Sequence, residues 1–300
     1  MVNKSSGGPP EERHLRSGER SDIIAATVTV KELWSCIMDA SVPLFRQRLE
    51  PLGLDVPPAG ECGFEELAAA YRVRLEPGRG PVHIAGMTTM AECRAAILAV
   101  KKQGCGAPWV SWACDEDGES PTRVAMLAAL FVCEGMGCAA FGVDCPEQAA
   151  QDVLGGLAAY AQVPLFRVRA GEAVPYPYRP AARDPDAIPC ATGAEPCFIR
   201  RTIDVGDELE CGPDLLEDII AAEDDPVGAV KIAVQSQDDV DVFALHQYAV
   251  REALCLCSDV PELLEGALRA YQGRAFYDGT GELSREELER LSGLYGLIVL

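Results

Sequence analysis

Residues 109–144, WVSWACDEDGESPTRVAMLAALFVCEGMGCAAFGVD, decide the fold class. WVSWAC reads as a strand running into the turn Asp115-Glu116-Asp117-Gly118. PTRVAMLAALFVCEGMG reads as a helix, with Pro121 near its first turn and glycine at its end. CAAFGVD is then a second buried strand. Hairpins cannot give two strands this far apart with a helix between them. A right-handed crossover onto a parallel sheet can.

The same alternation extends in both directions. PVHIAGM is a strand, and MAECRAAILAVKK a helix whose last lysines suit the negative end of its dipole. Downstream, PEQAAQDVLGGLAAYA is a helix weakened by Gly155 and Gly156, and VPLFRVR is a strand. Strands therefore begin near Val82, Trp109, Cys138 and Val163. Further upstream, Phe64, Leu67, Ala68, Tyr71 and Leu75 fall at helical spacing. Pro57, Pro58 and Gly60 mark a loop, and Ile23 to Val30 (IIAATVTV) is strand-like.

The prolines of VPYPYRPAARDPDAIP forbid a helix or a central strand from Val174 to Pro189. They read as a linker or a long crossover. Alternation then resumes with PDLLEDIIAA (helix), VGAVKIAV (strand), DVDVFALHQYAVREA (helix) and ALCLCS (strand). PELLEGALRAYQ (helix), RAFYDG (strand), the serine-capped SREELERL (helix) and YGLIVL (strand) complete it. The expected organisation is a flexible tail over 1–22, a βα domain over 23–173, a Pro-rich linker over 174–200 and a second α/β segment over 201–300.

The chain has 300 residues, 26 Lys+Arg against 47 Asp+Glu, a net charge of −21 and a pI near 4.5. Such a surface repels phosphate backbones and anionic membrane faces, so neither nucleic acid nor a membrane is an expected partner. A hydrophobic content of 48% suffices for a core. There is no apolar run of the roughly 18 residues that would span a bilayer. The first residues lack the apolar stretch of a secretory signal, and the expected location is cytoplasmic. Thirteen scattered cysteines without a Cys-x-x-Cys pair read as free thiols in a reducing cell.

In parallel α/β folds, working residues sit at the carboxyl ends of strands. That rule selects Met87, Asp115, Asp144 with Cys145, and Arg169, then Ser258 with Asp259, and Asp278. Cys145 leaves a buried strand just before a helix, where the dipole would lower a thiol pKa. The plain alternative is a loop cysteine without a role. Asp115-Glu116-Asp117-Gly118 could hold a divalent cation or be a solvated turn, and Glu223-Asp224-Asp225 reads as a charged loop. His83 reads as a core histidine, His246 as a structural one on a helix, and His14 lies in the tail. No phosphate-binding glycine loop, dinucleotide fingerprint or Gly-x-Ser-x-Gly elbow occurs.

From Phe64 to Val168 the chain resembles the homocysteine S-methyltransferase domain that begins cobalamin-dependent methionine synthase. FEELAAAYRVRL, MTTMAECRAAILAVKK, WVSWACDEDGES, AAFGVDCPEQ and VPLFRVRAGEA carry the likeness. CLCSDVPELLEGALRAYQGRAFYDGTGE resembles the pterin-binding barrel that follows in such enzymes. The resemblance implies parallel βα repeats in a partial TIM-type (β/α) barrel, or a hybrid barrel closed by both blocks. It also implies zinc-assisted methyl transfer to homocysteine, giving methionine, with Cys145 as the metal ligand. The family's Gly-Gly-Cys-Cys segment is absent, and Cys190 and Cys197 lie in order without that motif. Ala85-Gly86 replaces the family's Glu-Thr pair, and Asp144 its Asn. No Asp-x-His-x-x-Gly segment occurs, so cobalamin is not expected. The competing expectation is a non-catalytic homologue acting as a binding or interaction module, and another chain could complete the barrel.

Overall fold

The computed structural model describes residues 68–69, 82–180, 182–223 and 228–300. The expected tail, the strand at Ile23 to Val30 and the loop at Pro57, Pro58 and Gly60 lie outside them, as do Asp224 and Asp225. Of the helix expected from Phe64, Ala68 and Ala69 are described and are helical.

The first half is a singly wound βα block. Strand β1 (His83–Met87), helix α1 (Met90–Lys102), β2 (Trp109–Ala113), α2 (Met126–Gly135), β3 (Ala140–Asp144), α3 (Glu147–Leu157) and β4 (Leu165–Arg169) follow in order. The strands pair in that same order and are parallel. Thr89 caps α1 by accepting from Glu92 N at 3.2 Å. Helix α2 starts later than its sequence suggests. Ser120 Oγ accepts from Val124 N at 2.7 Å, and Arg123 takes φ 60°, which keeps the segment after Pro121 out of the helix.

The Pro-rich stretch is more ordered than the prolines alone suggest. Ala170 (φ 47°) and Gly171 (φ 82°) turn the chain back into β5 (Glu172–Pro175), antiparallel to β4 with Arg169 opposite Glu172. Both left-handed residues are what a two-residue hairpin turn requires. A second hairpin joins β6 (Ile188–Ala191) to β7 (Pro196–Ile199). Pro175, Pro189 and Pro196 all lie on edge or two-stranded pairings, where a missing N–H costs no ladder bond.

The second half repeats the winding. Strand β8 (Val205–Glu210), α4 (Leu215–Glu223), β9 (Ala229–Ala233), α5 (Gln237–His246), β10 (Ala253–Cys257), α6 (Pro261–Ala270), β11 (Phe276–Tyr277), α7 (Arg285–Tyr295) and β12 (Ile298–Val299) form a five-stranded sheet, ordered as numbered and all parallel. Ser236 and Ser284 make capping boxes with Asp239 and Glu287. Strand β8, VGDELE, is polar and lies at the sheet edge, and nothing in its pattern announces a strand.

The fold is thus α/β with parallel βα repeats, but the described strands do not close a barrel. No strand of one five-stranded sheet pairs with the other. Helices meet there instead. The buried Arg94 of α1 donates to Gly273 O at 3.0 Å and Leu268 O at 2.5 Å, and Leu98 of α1 joins the core of the second sheet. Side chains of α1 thereby tie the two halves together. The β6–β7 hairpin adds to it, with Arg274 N donating to Ala191 O at 2.7 Å. No described helix is long and apolar enough to cross a membrane.

Candidate functional site

Alternation along each strand sorts side chains onto two faces. In the second sheet, Val230, Ile232, Leu254, Leu256 and Tyr277 point into the helix-side core. Ala229, Ala253, Cys255, Phe276 and Ile298 form a cluster on the other face, under Cys190 and Ile199 of the hairpin. Lys231 shares that second face. Its ladder partners are Glu208 and Cys255, and one pleat further on Ala233 sits beside Glu210 and Cys257. Parallel register alone therefore assembles Glu208, Lys231, Cys255 and Cys257, with Asp278 just past β11.

The Lys231 ammonium donates to Thr280 Oγ1 at 2.9 Å and lies 3.1 Å from Asp278 Oδ2 and 3.4 Å from Glu208 Oε2. Asp278 is itself tied to Thr280, which donates from its hydroxyl at 2.7 Å and its N–H at 3.0 Å. The Cys257 thiol donates to Glu208 Oε2 at 3.4 Å. The Lys231 and Asp278 side chains are 11% and 14% exposed, whereas Glu208 is 44% exposed. Glu208 is the more exposed of the two carboxylates. Burial pulls the Lys231 pKa down, but the bond and charge of Asp278 outweigh it and the ammonium is held above its ordinary value. Burial likewise opposes ionisation of Asp278, yet its bonds from Thr280 and Lys231 hold it below the usual carboxylate range. Cys257 is pushed up to about 12, first by burial and then by Glu208.

The first sheet presents sulfur at the corresponding end. Cys114 N donates to Asp144 O at 3.1 Å, which carries the β2–β3 ladder one residue past Ala113 and Asp144 and sets Cys114 beside Cys145. The Cys114 thiol donates to Met126 Sδ, 3.4 Å away at the start of α2. Both cysteines are half-buried against the helix-side core. The expected lowering of the Cys145 pKa does not occur. Burial and then Asp144 raise it, and Pro146, at the N-cap, makes no side-chain capping bond to α3. Cys114 is pushed up to about 12 by burial, then by Cys145 and Asp115.

The other residues selected from sequence take structural places. Met87 is in the core, and Arg169 closes the β4–β5 hairpin. Ser258 Oγ accepts from Val260 N at 3.2 Å, and Asp259 Oδ1 from Glu282 N at 3.0 Å. Asp115 Oδ1 accepts from Asp117 N and Glu119 N in an exposed turn. His83 is buried, with Nε2 2.9 Å from Ser111 Oγ and its ring edge-on to Phe166. His246 ends α5. Cys190 and Cys197 face each other across the β6–β7 hairpin, where Cys190 Sγ donates to Arg274 O at 2.7 Å.

Among the described residues, no three His, Cys, Asp or Glu side chains come together as a metal-holding group. Among the described residues, the ladder sets one further thiol, Cys114, beside Cys145, whereas the resemblance implies three thiolates for zinc. Compared with known proteins, the chain matches no family model and no curated sequence. The likeness to homocysteine methyltransferases rests on the motifs quoted above.

Proposed function

We propose that this chain is a ligand-binding relative of the homocysteine S-methyltransferases, which holds a small zwitterion of the amino-acid type at the carboxyl end of its second sheet. The observation behind this reading is Lys231, a cation on β9, one strand in from the sheet edge, between the carboxylates of Glu208 and Asp278. An incoming carboxylate takes the place of Glu208, the more distant and more exposed of the two carboxylates at Lys231. The freed Glu208 then receives the ammonium of the ligand. Every charge stays paired throughout, which limits the desolvation cost of binding. Homocysteine is the zwitterion that the resemblance names.

The protonation states favour binding over covalent chemistry. A nucleophilic lysine needs a lowered pKa and a nucleophilic cysteine a thiolate, whereas Lys231 and Cys257 are both shifted the other way. Titration calorimetry with homocysteine is expected to show one site, with affinity at least about tenfold weaker in Lys231→Met and in Asp278→Asn. Unchanged affinity in Lys231→Met removes the site. The second reading is zinc-assisted methyl transfer to homocysteine, favoured by the place of Cys145 at the end of β3 with Cys114 beside it. Methionine formed from homocysteine and a methyl donor, and lost in Cys145→Ser, would establish that reading instead.

A further inference from the structure

The β6–β7 hairpin carries a pair of cysteines that the Lys231 site does not use. Cys190 and Cys197 are free thiols and stand directly opposite each other in its register. Thr192 N donates to Glu195 O at 2.9 Å, and Pro189 and Pro196 have no N–H to give, so alternation makes Cys190 and Cys197 a hydrogen-bonded pair. Such a pair sets its Cα atoms about 5.5 Å apart, inside the range that a disulfide spans. Both side chains face the cluster that holds Ala229, Ala253, Cys255 and Phe276. Cys190 is fully buried, whereas Cys197 is half-buried and adjoins Phe198, which is 47% exposed. We propose that Cys190 and Cys197 are a dithiol that reacts reversibly with small disulfides of the glutathione type, closing a disulfide across the hairpin.

One sulfur is reachable and the other is sealed, which sets the order of exchange. Cys197, as its thiolate, attacks one sulfur of the incoming disulfide. That S–S bond breaks, and one small thiolate leaves and takes up a proton. The Cys190 thiolate then attacks the Cys197 sulfur of the mixed disulfide and expels the second small thiol. The dithiol loses two electrons and two protons, and the small disulfide gains both. Opposed residues hold their Cβ atoms about 4.5–5.5 Å apart, wider than the mean disulfide separation of about 3.8 Å. The bridge is therefore strained and readily reduced again. Closing it also removes the S–H that Cys190 donates to Arg274 O at 2.7 Å. The other close pair of thiols lacks such access. The Cys93 and Cys133 sulfurs lie 3.6 Å apart, but both are sealed in the core. The hairpin is also where the halves meet. Ala194 O accepts from Ala125 N at 2.8 Å, the Phe198 ring packs edge-on to Phe131 at 5.2 Å, and Ala191 O accepts from Arg274 N.

Residues 184–200 hold both cysteines without an internal Lys or Arg, so trypsin releases them in one peptide. The test equilibrates the folded whole chain anaerobically in glutathione buffers of rising oxidised-to-reduced ratio. Acid quenching, unfolding, alkylation with N-ethylmaleimide and digestion follow. In reduced glutathione the peptide is expected to carry two labels. In excess glutathione disulfide it is expected to carry none and to be lighter than the dithiol peptide by two hydrogens. Excess reduced glutathione then restores both labels, and Cys93 and Cys133 keep theirs throughout. Cys197→Ser is expected to leave Cys190 labelled at every ratio. The proposal is overturned if the wild-type peptide keeps both labels in glutathione disulfide alone, or stops at a mixed disulfide on Cys197. A bridge that excess reduced glutathione fails to reopen overturns it as well. So does loss of the Cys93 and Cys133 labels in step with the pair, because general oxidation of an opened chain would then explain both. If Cys197→Ser fails to fold, the wild-type peptide decides by itself.

Discussion

The two halves share a winding rule and differ in what stands at the ends of their strands. Both are sequentially ordered sheets, the second all parallel and the first parallel except for its edge strand β5, and both turn Val, Ile, Leu or aromatic residues toward their helices. On the opposite face, the first sheet is filled by Trp109, Ala140 and Phe166. The second carries the Glu208–Lys231–Asp278 ion cluster on that face. At its carboxyl end, the first sheet instead gathers uncharged sulfur on the helix side. One architecture thus supports two chemistries, because the pleat and the register decide which side chains meet and leave their identity free.

The sharpest way to break the comparison is to uncouple the halves. Arg94 is buried and donates across the junction to Gly273 O and Leu268 O. Arg94→Met leaves those carbonyls without a donor and is expected to cost about 3 kcal/mol. Urea unfolding followed by tryptophan fluorescence, to which Trp109 and Trp112 of the first sheet contribute, should then separate from the transition seen by circular dichroism. Coincident transitions at the wild-type midpoint would show that Arg94 does not join the halves.

A matched pair of glycine substitutions sharpens it further. A Cβ on Gly142 of β3 would meet the Phe166 ring and Phe166 O at 2.6 Å, where the backbone cannot yield. Gly142→Ala is expected to destabilise by about 2 kcal/mol. A Cβ on Gly266 of α6 would meet a Val240 methyl at 3.1 Å, which a side chain can relieve. Helix propensity favours Ala there by about 1 kcal/mol, so Gly266→Ala should be neutral or stabilising. Equal denaturation midpoints for the two variants would contradict the tight closure of the first sheet.

The smallest effect is a pH dependence carried by Glu265 in the second half. Glu265 of α6 accepts from Arg269, Arg290 and Tyr295, tying α6 to α7. Burial opposes its ionisation, but the Tyr295, Arg290 and Arg269 bonds prevail and lower its pKa to about 2. A depressed folded-state pKa contributes stability that is complete above the ordinary carboxylate value of 4.5 and is lost as pH falls toward about 2. Solvent screening limits this to about 1 kcal/mol. Glu265→Gln should flatten the stability profile across that window, and an unchanged slope would remove Glu265 from the account.

How much of this was legible from sequence depended on burial. Helix α1 coincides with MAECRAAILAVKK, and β1 to β4 begin within two residues of their expected starts, because buried parallel strands and amphipathic helices declare themselves in apolar pattern. Strand β8 gives no strand signal because VGDELE is polar, and Glu208 lies within it. Lys231 is the one charge in VGAVKIAV. A lysine on a strand otherwise buried on both faces was the available signal. Cys145 was read from its place at a strand end, but Cys114 beside it comes from register, and Met126 beside Cys114 from the late start of α2, which no local pattern reveals. Asp278 was selected by the strand-end rule and lies in the cluster proposed to bind ligand.

The most direct measurement is a crystal structure of the chain grown with homocysteine. The account predicts the homocysteine carboxylate on Lys231 Nζ, its ammonium on Glu208, and no homocysteine at Cys114 and Cys145. Homocysteine bound at Cys145, with the Lys231–Glu208 pair undisturbed, would contradict it.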